Sequence, residues 1–269
     1  MKKSSVLEFS LFLFAAITCT FLHAQKWVNF EGTSEFGDNM QLSGVLTVPQ
    51  GKGPFPAVVM LCGCAGLNNF DDKILQQSWA DQFAAWGYVS LQVDSFGPRG
   101  YKDGVCVGGD EVDNRVRAID AFAAKRYLGT IEIIDKQKIA VAGWSHGGWA
   151  LMAAIDAFYR AEGDLPFKAA IAFYPWCLSS YKRDTPLLIL IGEKDTIFSS
   201  NDCLNRRDKT LNNVEYEQKV IVYPNATHAF DIKKFTKDYG VPMRHDPEAT
   251  ADAILQVEAF LARYLKTSG

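Results

Sequence analysis

Beyond its first two dozen residues, the 269-residue chain has no apolar run of the roughly 20 residues that a bilayer-spanning helix needs. It has no basic patch either: 28 lysines and arginines against 31 acidic residues leave a formal charge of −3, which excludes nucleic acid as a partner. No internal repeat, linker or low-complexity tract divides the chain, which excludes a repeat array. The two-residue gap of a zinc or redox Cys-x-x-Cys motif is missing from Cys62-Gly63-Cys64. No metal or organic cofactor is implied.

What is present is apolar bulk. Hydrophobic residues make up 48% of the chain, enough for one sizeable core, and α/β folds of this length are routinely a single domain. Lys2-Lys3, an apolar-biased stretch from Phe9 to Leu22, and Leu22-His23-Ala24 ahead of Gln25 follow the order of a secretory signal peptide cut after Ala24. The stretch is shorter than a bilayer span, so an uncleaved anchor is the weaker reading. Cys19 follows Ala16-Ile17-Thr18, which lacks the small residue expected before a lipidated cysteine. The expectation is a leader over 1–24, one catalytic domain over 25–269, a periplasmic or secreted location, and no membrane attachment after cleavage. In such an oxidising compartment disulfides persist. Cys62, Cys64, Cys106, Cys177 and Cys203 remain, an odd set that leaves at least one unpaired or intermolecular, and spacing alone does not fix the pairing.

Strand and helix signals alternate. Val45 to Val48 alternates like an antiparallel strand, and Ala57 to Leu61 is a continuous apolar run suited to a strand covered on both faces. Leu75, Trp79, Phe83 and Trp86 recur at helical spacing before Gly87. Tyr88 to Val93 reads as a strand, and Val112, Val116, Ile119, Phe122 and Ala123 as one helix stripe. Short strands follow at 169–173, 187–191 and 220–223, and Asp246-Pro247 opens a last helix with Ile254, Val257, Leu261, Tyr264 and Leu265 on one face. This order implies a mostly parallel central sheet with helices on both faces.

Gly143-Trp144-Ser145-His146-Gly147-Gly148 lies between the β-rich run 138–142 and the helix-like run 149–154. It reads as a nucleophile elbow, in which a sharp strand-to-helix turn exposes the serine hydroxyl and flanking glycines make room for the backbone. A serine needs a base, and a third group to orient that base. Three histidines remain from the elbow onward. His146 adjoins the nucleophile with its side chain pointing away, and His245 resembles a surface cap ahead of the last helix. His228 follows a strand and a proline turn, at the carboxyl end where α/β sheets place their sites. Asp195, after the 187–191 strand, is the favoured acid, with Glu193 and Asp202 as competitors. The backbone N–H groups of His146 and of Cys64, in the Gly-rich loop 62–66, are the candidate oxyanion donors.

The elbow 143–147, Ile191-Gly192-Glu193-Lys194-Asp195, Thr227-His228-Ala229-Phe230-Asp231 and Asp94-Ser95-Phe96-Gly97-Pro98-Arg99-Gly100 together resemble the dienelactone hydrolase family of the α/β-hydrolase superfamily. The resemblance implies an α/β-hydrolase fold and hydrolysis of a small-molecule ester or lactone through an acyl-serine. Ser145 would be the nucleophile, His228 the base and Asp195 the orienting acid. Two departures stand out. The family's name-giving enzymes use a cysteine where this chain has Ser145, and a histidine often precedes the oxyanion-loop glycine in relatives where this chain has Cys62. The resemblance further suggests disulfides Cys64–Cys106 and Cys177–Cys203. It also suggests Arg99 as a binder of a substrate carboxylate, against a structural ion pair with Asp94 or Asp110. Trp144, Trp149 and Trp176 are read first as core packing, with an aromatic pocket as the alternative. The competing functions are a peptidase resembling the prolyl oligopeptidase catalytic domain and a non-catalytic binding protein on a hydrolase fold.

Overall fold

The computed structural model describes residues 23–34, 36–106, 112–177, 182–206, 209–210, 216–236 and 239–266. Nearly all of the expected leader, and Asp110, lie outside them. The strands are β1 (Ala24–Thr33), β2 (Asn39–Val48), β3 (Phe55–Leu61), β4 (Val89–Asp94), β5 (Ile134–Trp144), β6 (Ala170–Phe173), β7 (Lys182–Arg183), β8 (Leu187–Gly192), β9 (Lys209–Thr210) and β10 (Gln218–Tyr223). The helices are α1 (Phe70–Ala85), α2 (Asn114–Leu128), α3 (His146–Ala154), α4 (Ser200–Asn205) and α5 (Pro247–Leu261). Eight strands form one sheet in the order β1-β2-β4-β3-β5-β6-β8-β10, while β7 and β9 pair separately.

The β1–β2 and β2–β4 pairs are antiparallel; every other pair in the large sheet is parallel. Parallel neighbours require crossover connections, which the intervening helices supply. The central strands read as unbroken apolar runs because both of their faces are covered. All six residues of β8 are buried, as are Ala57 to Leu61 of β3. Each Leu or Ile so buried contributes about 1.5–3 kcal/mol.

The helices start where local chemistry satisfies their first amides. Asn69 Oδ1 accepts from Asp71 and Asp72 N–H at the head of α1, Asp113 from Arg115 and Val116 N–H at α2, and Asp246 from Ala249 N–H at α5. Asp246 thus caps and Pro247 opens α5 as the sequence indicates, and His245 is not the cap. Ile119 of the expected α2 stripe is 37% exposed, whereas Arg117 and Asp120 of that helix are fully buried. Val112, Val116, Phe122 and Ala123 of that stripe are buried, and the buried polar pair shares the inward side of α2 with them. Edge strand β1 was not foreseen: only Val28, Phe30 and Gly32 alternate inward, and Trp27 beside them is 59% exposed.

Two disulfides, Cys64–Cys106 and Cys177–Cys203, are the pairs the family resemblance suggested. Cys62 is left as a buried thiol, its pKa pushed up to about 12 chiefly by burial. The bridges close spans of 42 and 26 residues. Loop-closure entropy makes each worth about 3–4 kcal/mol. A non-reducing peptide map should therefore recover 64–106 and 177–203 cross-linked peptides, with Cys62 alkylated only after denaturation. A cross-link involving Cys62 would contradict the pairing.

Candidate active site

Ser145 stands between the last residue of β5 and the first of α3, with φ 53° and ψ −116°. A non-glycine residue holds such a backbone only under constraint, at a cost of about 1–3 kcal/mol. The flanking glycines are what permit it. A Cβ on Gly143 would collide with the Gly147 carbonyl, and a Cβ on Gly147 would collide with the Leu61 carbonyl of β3. Ser145 N–H donates to Phe173 O at 3.0 Å, pinning the turn to β6.

Parallel pairing of β8 with β10 brings the other two side chains to Ser145. Their exit loops continue the ladder: Glu193 N–H donates to Tyr223 O at 2.9 Å and Lys194 N–H to Ala226 O at 3.0 Å. Any Cβ on Gly192 would strike Ala226 O, so the approach requires glycine there. As a result His228 Nδ1 lies 2.7 Å from Asp195 Oδ2, and His228 Nε2 lies 2.9 Å from Ser145 Oγ. Asp195 is held in turn, its Oδ1 accepting from Ile197 and Phe198 N–H at 2.8 and 3.0 Å. Glu193 faces solvent. Of the three candidate acids, Asp195 is the one this geometry aligns with the imidazole.

The His228 ring packs between Tyr174, with centroids 4.7 Å apart, and Phe198, at 5.5 Å. Behind it is a feature the sequence did not reveal. Asp231, three residues on, is buried and accepts from Trp79 Nε1 at 2.9 Å, Trp144 Nε1 at 3.1 Å and Tyr174 OH at 2.7 Å. It fastens the His228 loop to α1, β5 and the end of β6 at once. Burial raises its pKa, and the three donors oppose that shift.

Arg117 performs a similar task on the opposite side. It is fully buried and donates to Cys62 O and to His146 Nδ1, each at 2.8 Å. It thereby ties the 62–66 loop to the elbow, the two segments that carry the candidate oxyanion donors Cys64 and His146. Burial, followed by the Arg117 charge, lowers the His146 pKa to about 3, so its ring is neutral and accepts from the guanidinium. The Cys64–Cys106 bridge braces the same loop, and Val105 N–H donates to Cys64 O at 2.7 Å.

Ser145, His228, Cys64 and His146 share one cavity of about 490 Å³. Trp149 and Trp176 line it as well, which corrects their reading as core packing; Trp144 both lines it and is fully buried. Arg99 does not line it. Its guanidinium engages both Asp120 oxygens at 2.8 and 2.9 Å, and its side chain is 4% exposed. Asp94, one of the two partners considered, instead accepts from Phe96 and Gly97 N–H, and Asp110 lies outside the described residues. The substrate-carboxylate role considered for Arg99 is thus corrected to a structural one. Asp120, Arg117 and Asp231 escaped sequence reading because their partners lie 21 to 152 positions away.

A model of the dienelactone hydrolase family matches residues 42–265. The chain belongs to that family. It is accordingly a hydrolase. A Synechocystis sp. protein named "Putative carboxymethylenebutenolidase" is 22% identical over 246 residues, covering 85% of this chain and 94% of that one. The structure of a dienelactone hydrolase from Anabaena variabilis superposes with a TM-score of 0.62 at 16% identity, over 90% of this chain and 99% of the other. A puromycin-hydrolysing peptidase of Mycobacterium tuberculosis reaches 0.61 at 16% identity, but the match spans 41% of the peptidase. These structural likenesses establish the α/β-hydrolase fold, with its mostly parallel sheet.

Replacing Asp231 by alanine would leave three buried donors without an acceptor, each costing about 1–3 kcal/mol. Asp231→Ala should lower the unfolding free energy by about 3 kcal/mol or more in urea titration. A loss below about 1 kcal/mol would show that the carboxylate holds nothing together.

Proposed function

We propose that this family member is an exported serine hydrolase that cleaves a small carboxylic ester or lactone through an acyl-serine intermediate. What supports the reading is the continuous hydrogen-bonded series Ser145 Oγ, His228 Nε2, His228 Nδ1 and Asp195 Oδ2, with its hydroxyl end open to the cavity.

In this mechanism His228 Nε2 takes the Ser145 proton as Oγ attacks the carbonyl carbon, and Asp195 stabilises the imidazolium that forms. The tetrahedral oxygen is held by the His146 and Cys64 N–H groups, each worth about 10²–10³ in rate. His228 then gives its proton to the departing alcohol oxygen, leaving the acyl group on Ser145. A water, deprotonated by His228, attacks that ester, and the proton returns to Oγ as the carboxylic acid leaves. No step calls for a metal or an organic cofactor.

Export is part of the same proposal and rests on Lys2-Lys3, the apolar stretch to Leu22, and two disulfides. Cleavage after Ala24 would remove the first residue of edge strand β1 and leave Gln25 to begin it. The catalytic domain is proposed to run over 25–269.

A fluorophosphonate probe should label Ser145 in the wild-type protein and nothing in Ser145→Ala, as read by mass spectrometry. A panel of p-nitrophenyl esters, a lactone and a dipeptide amide should show ester or lactone turnover exceeding amide turnover, with Ser145→Ala down about 10⁴-fold or more. Labelling that survives the substitution, or a preference for the amide, would reject ester hydrolysis at Ser145.

A further inference from the structure

The cavity carries a chemical signature of its own. Its wall is formed largely by apolar groups, among them Leu75, Trp149, Trp176, Phe198 and Phe235. Among the described lining residues there is no lysine and no arginine. The buried guanidiniums beside the site are bound elsewhere: Arg99 to Asp120, and Arg117 to Cys62 O and His146 Nδ1. Beside His146 and His228, the titratable carboxyls among the described lining residues are Asp71 and Asp72. Asp71 accepts from Thr236 N–H and Tyr239 OH, and Asp72 lies buried against Gly63 of the oxyanion loop. Burial, opposed by the Arg117 charge, holds the Asp72 pKa up to about 7.

We infer that the site selects uncharged, apolar acyl groups and rejects acyl groups that end in a carboxylate. This rests on the ester-hydrolase reading above and names the substrate class for it. An alkyl chain entering the cavity exchanges water for aromatic and aliphatic wall, and each covered methylene raises affinity about fourfold. A carboxylate at the same position would lose its water, find no counter-charge among the described lining residues and face Asp71. Loss of hydration without an ion-pair partner is the larger effect.

The matched pair p-nitrophenyl hexanoate and mono-p-nitrophenyl adipate differs by a methyl group against a carboxylate. Wild-type kcat/KM, corrected for spontaneous hydrolysis, should favour the hexanoate by about 100-fold or more, with most of the difference in KM. Binding of methyl hexanoate and monomethyl adipate to Ser145→Ala, by calorimetry, should show the same order without any turnover. Ile197 lines the cavity mouth and is 41% exposed, and Ile197→Arg should raise adipate kcat/KM about tenfold or more by supplying the missing cation. Equal or better handling of the adipate, in turnover or in binding, would overturn the inference. Selective hexanoate binding with no turnover of any ester would instead remove the ester-hydrolase reading and leave the ligand class standing.

Discussion

An imidazole can accept a proton from serine only if its other nitrogen keeps its own, and the 2.7 Å contact from His228 Nδ1 to Asp195 imposes that arrangement. The tautomer, the ring plane and the 2.9 Å approach of Nε2 to Ser145 all follow from it. A carboxylate does this only when it is itself immobile. Here one oxygen is fixed by two backbone amides while the other faces the ring, and the Asp195 side chain has no solvent exposure.

Much of the remaining architecture serves to keep that contact in place. The pairing of β8 with β10 is extended into the loops by two further backbone hydrogen bonds, so the two residues that meet are set by strand register. Asp231 anchors the far side of the His228 loop to three aromatic donors on separate elements. Arg117 and the Cys64–Cys106 bridge hold the 62–66 loop, which carries the candidate oxyanion donor Cys64, beside the elbow. Buried charge of this kind is costly unless it is paired and hydrogen-bonded, which is what these contacts supply for Asp231 and for the terminal nitrogens of Arg117. Dienelactone hydrolase family membership supplies the scaffold; the cavity wall, with no lysine or arginine among its described residues, is what the proposed selectivity rests on.

The legible parts of the sequence were those whose signal is local. Gly143-Trp144-Ser145-His146-Gly147 between a strand run and a helix run carries its reason within five residues, and the glycine contacts found in the structure are that reason. His228 and Asp195 were legible at one remove, since each ends a strand in a fold whose strand ends converge. The unbroken apolar runs of β3 and β8 announced buried parallel strands. What was hidden depends on partners far along the chain. Nothing near Arg99 indicates Asp120, and nothing near Asp231 indicates Trp79 or Trp144. Trp149 and Trp176 read as core because a lone tryptophan looks alike whether it meets a core or a cavity. Strand β1 was missed because its inward alternation is brief and interrupted by the exposed Trp27.

Non-additivity of Ser145 and His228 tests the proton relay most directly. Groups that act as one unit lose their effect together, so removing either should cost about as much as removing both. The measurement is kcat for one p-nitrophenyl ester with Ser145→Ala, His228→Ala and the double variant. The double variant is expected within a few-fold of the slower single variant, and losses that multiply would contradict a shared relay.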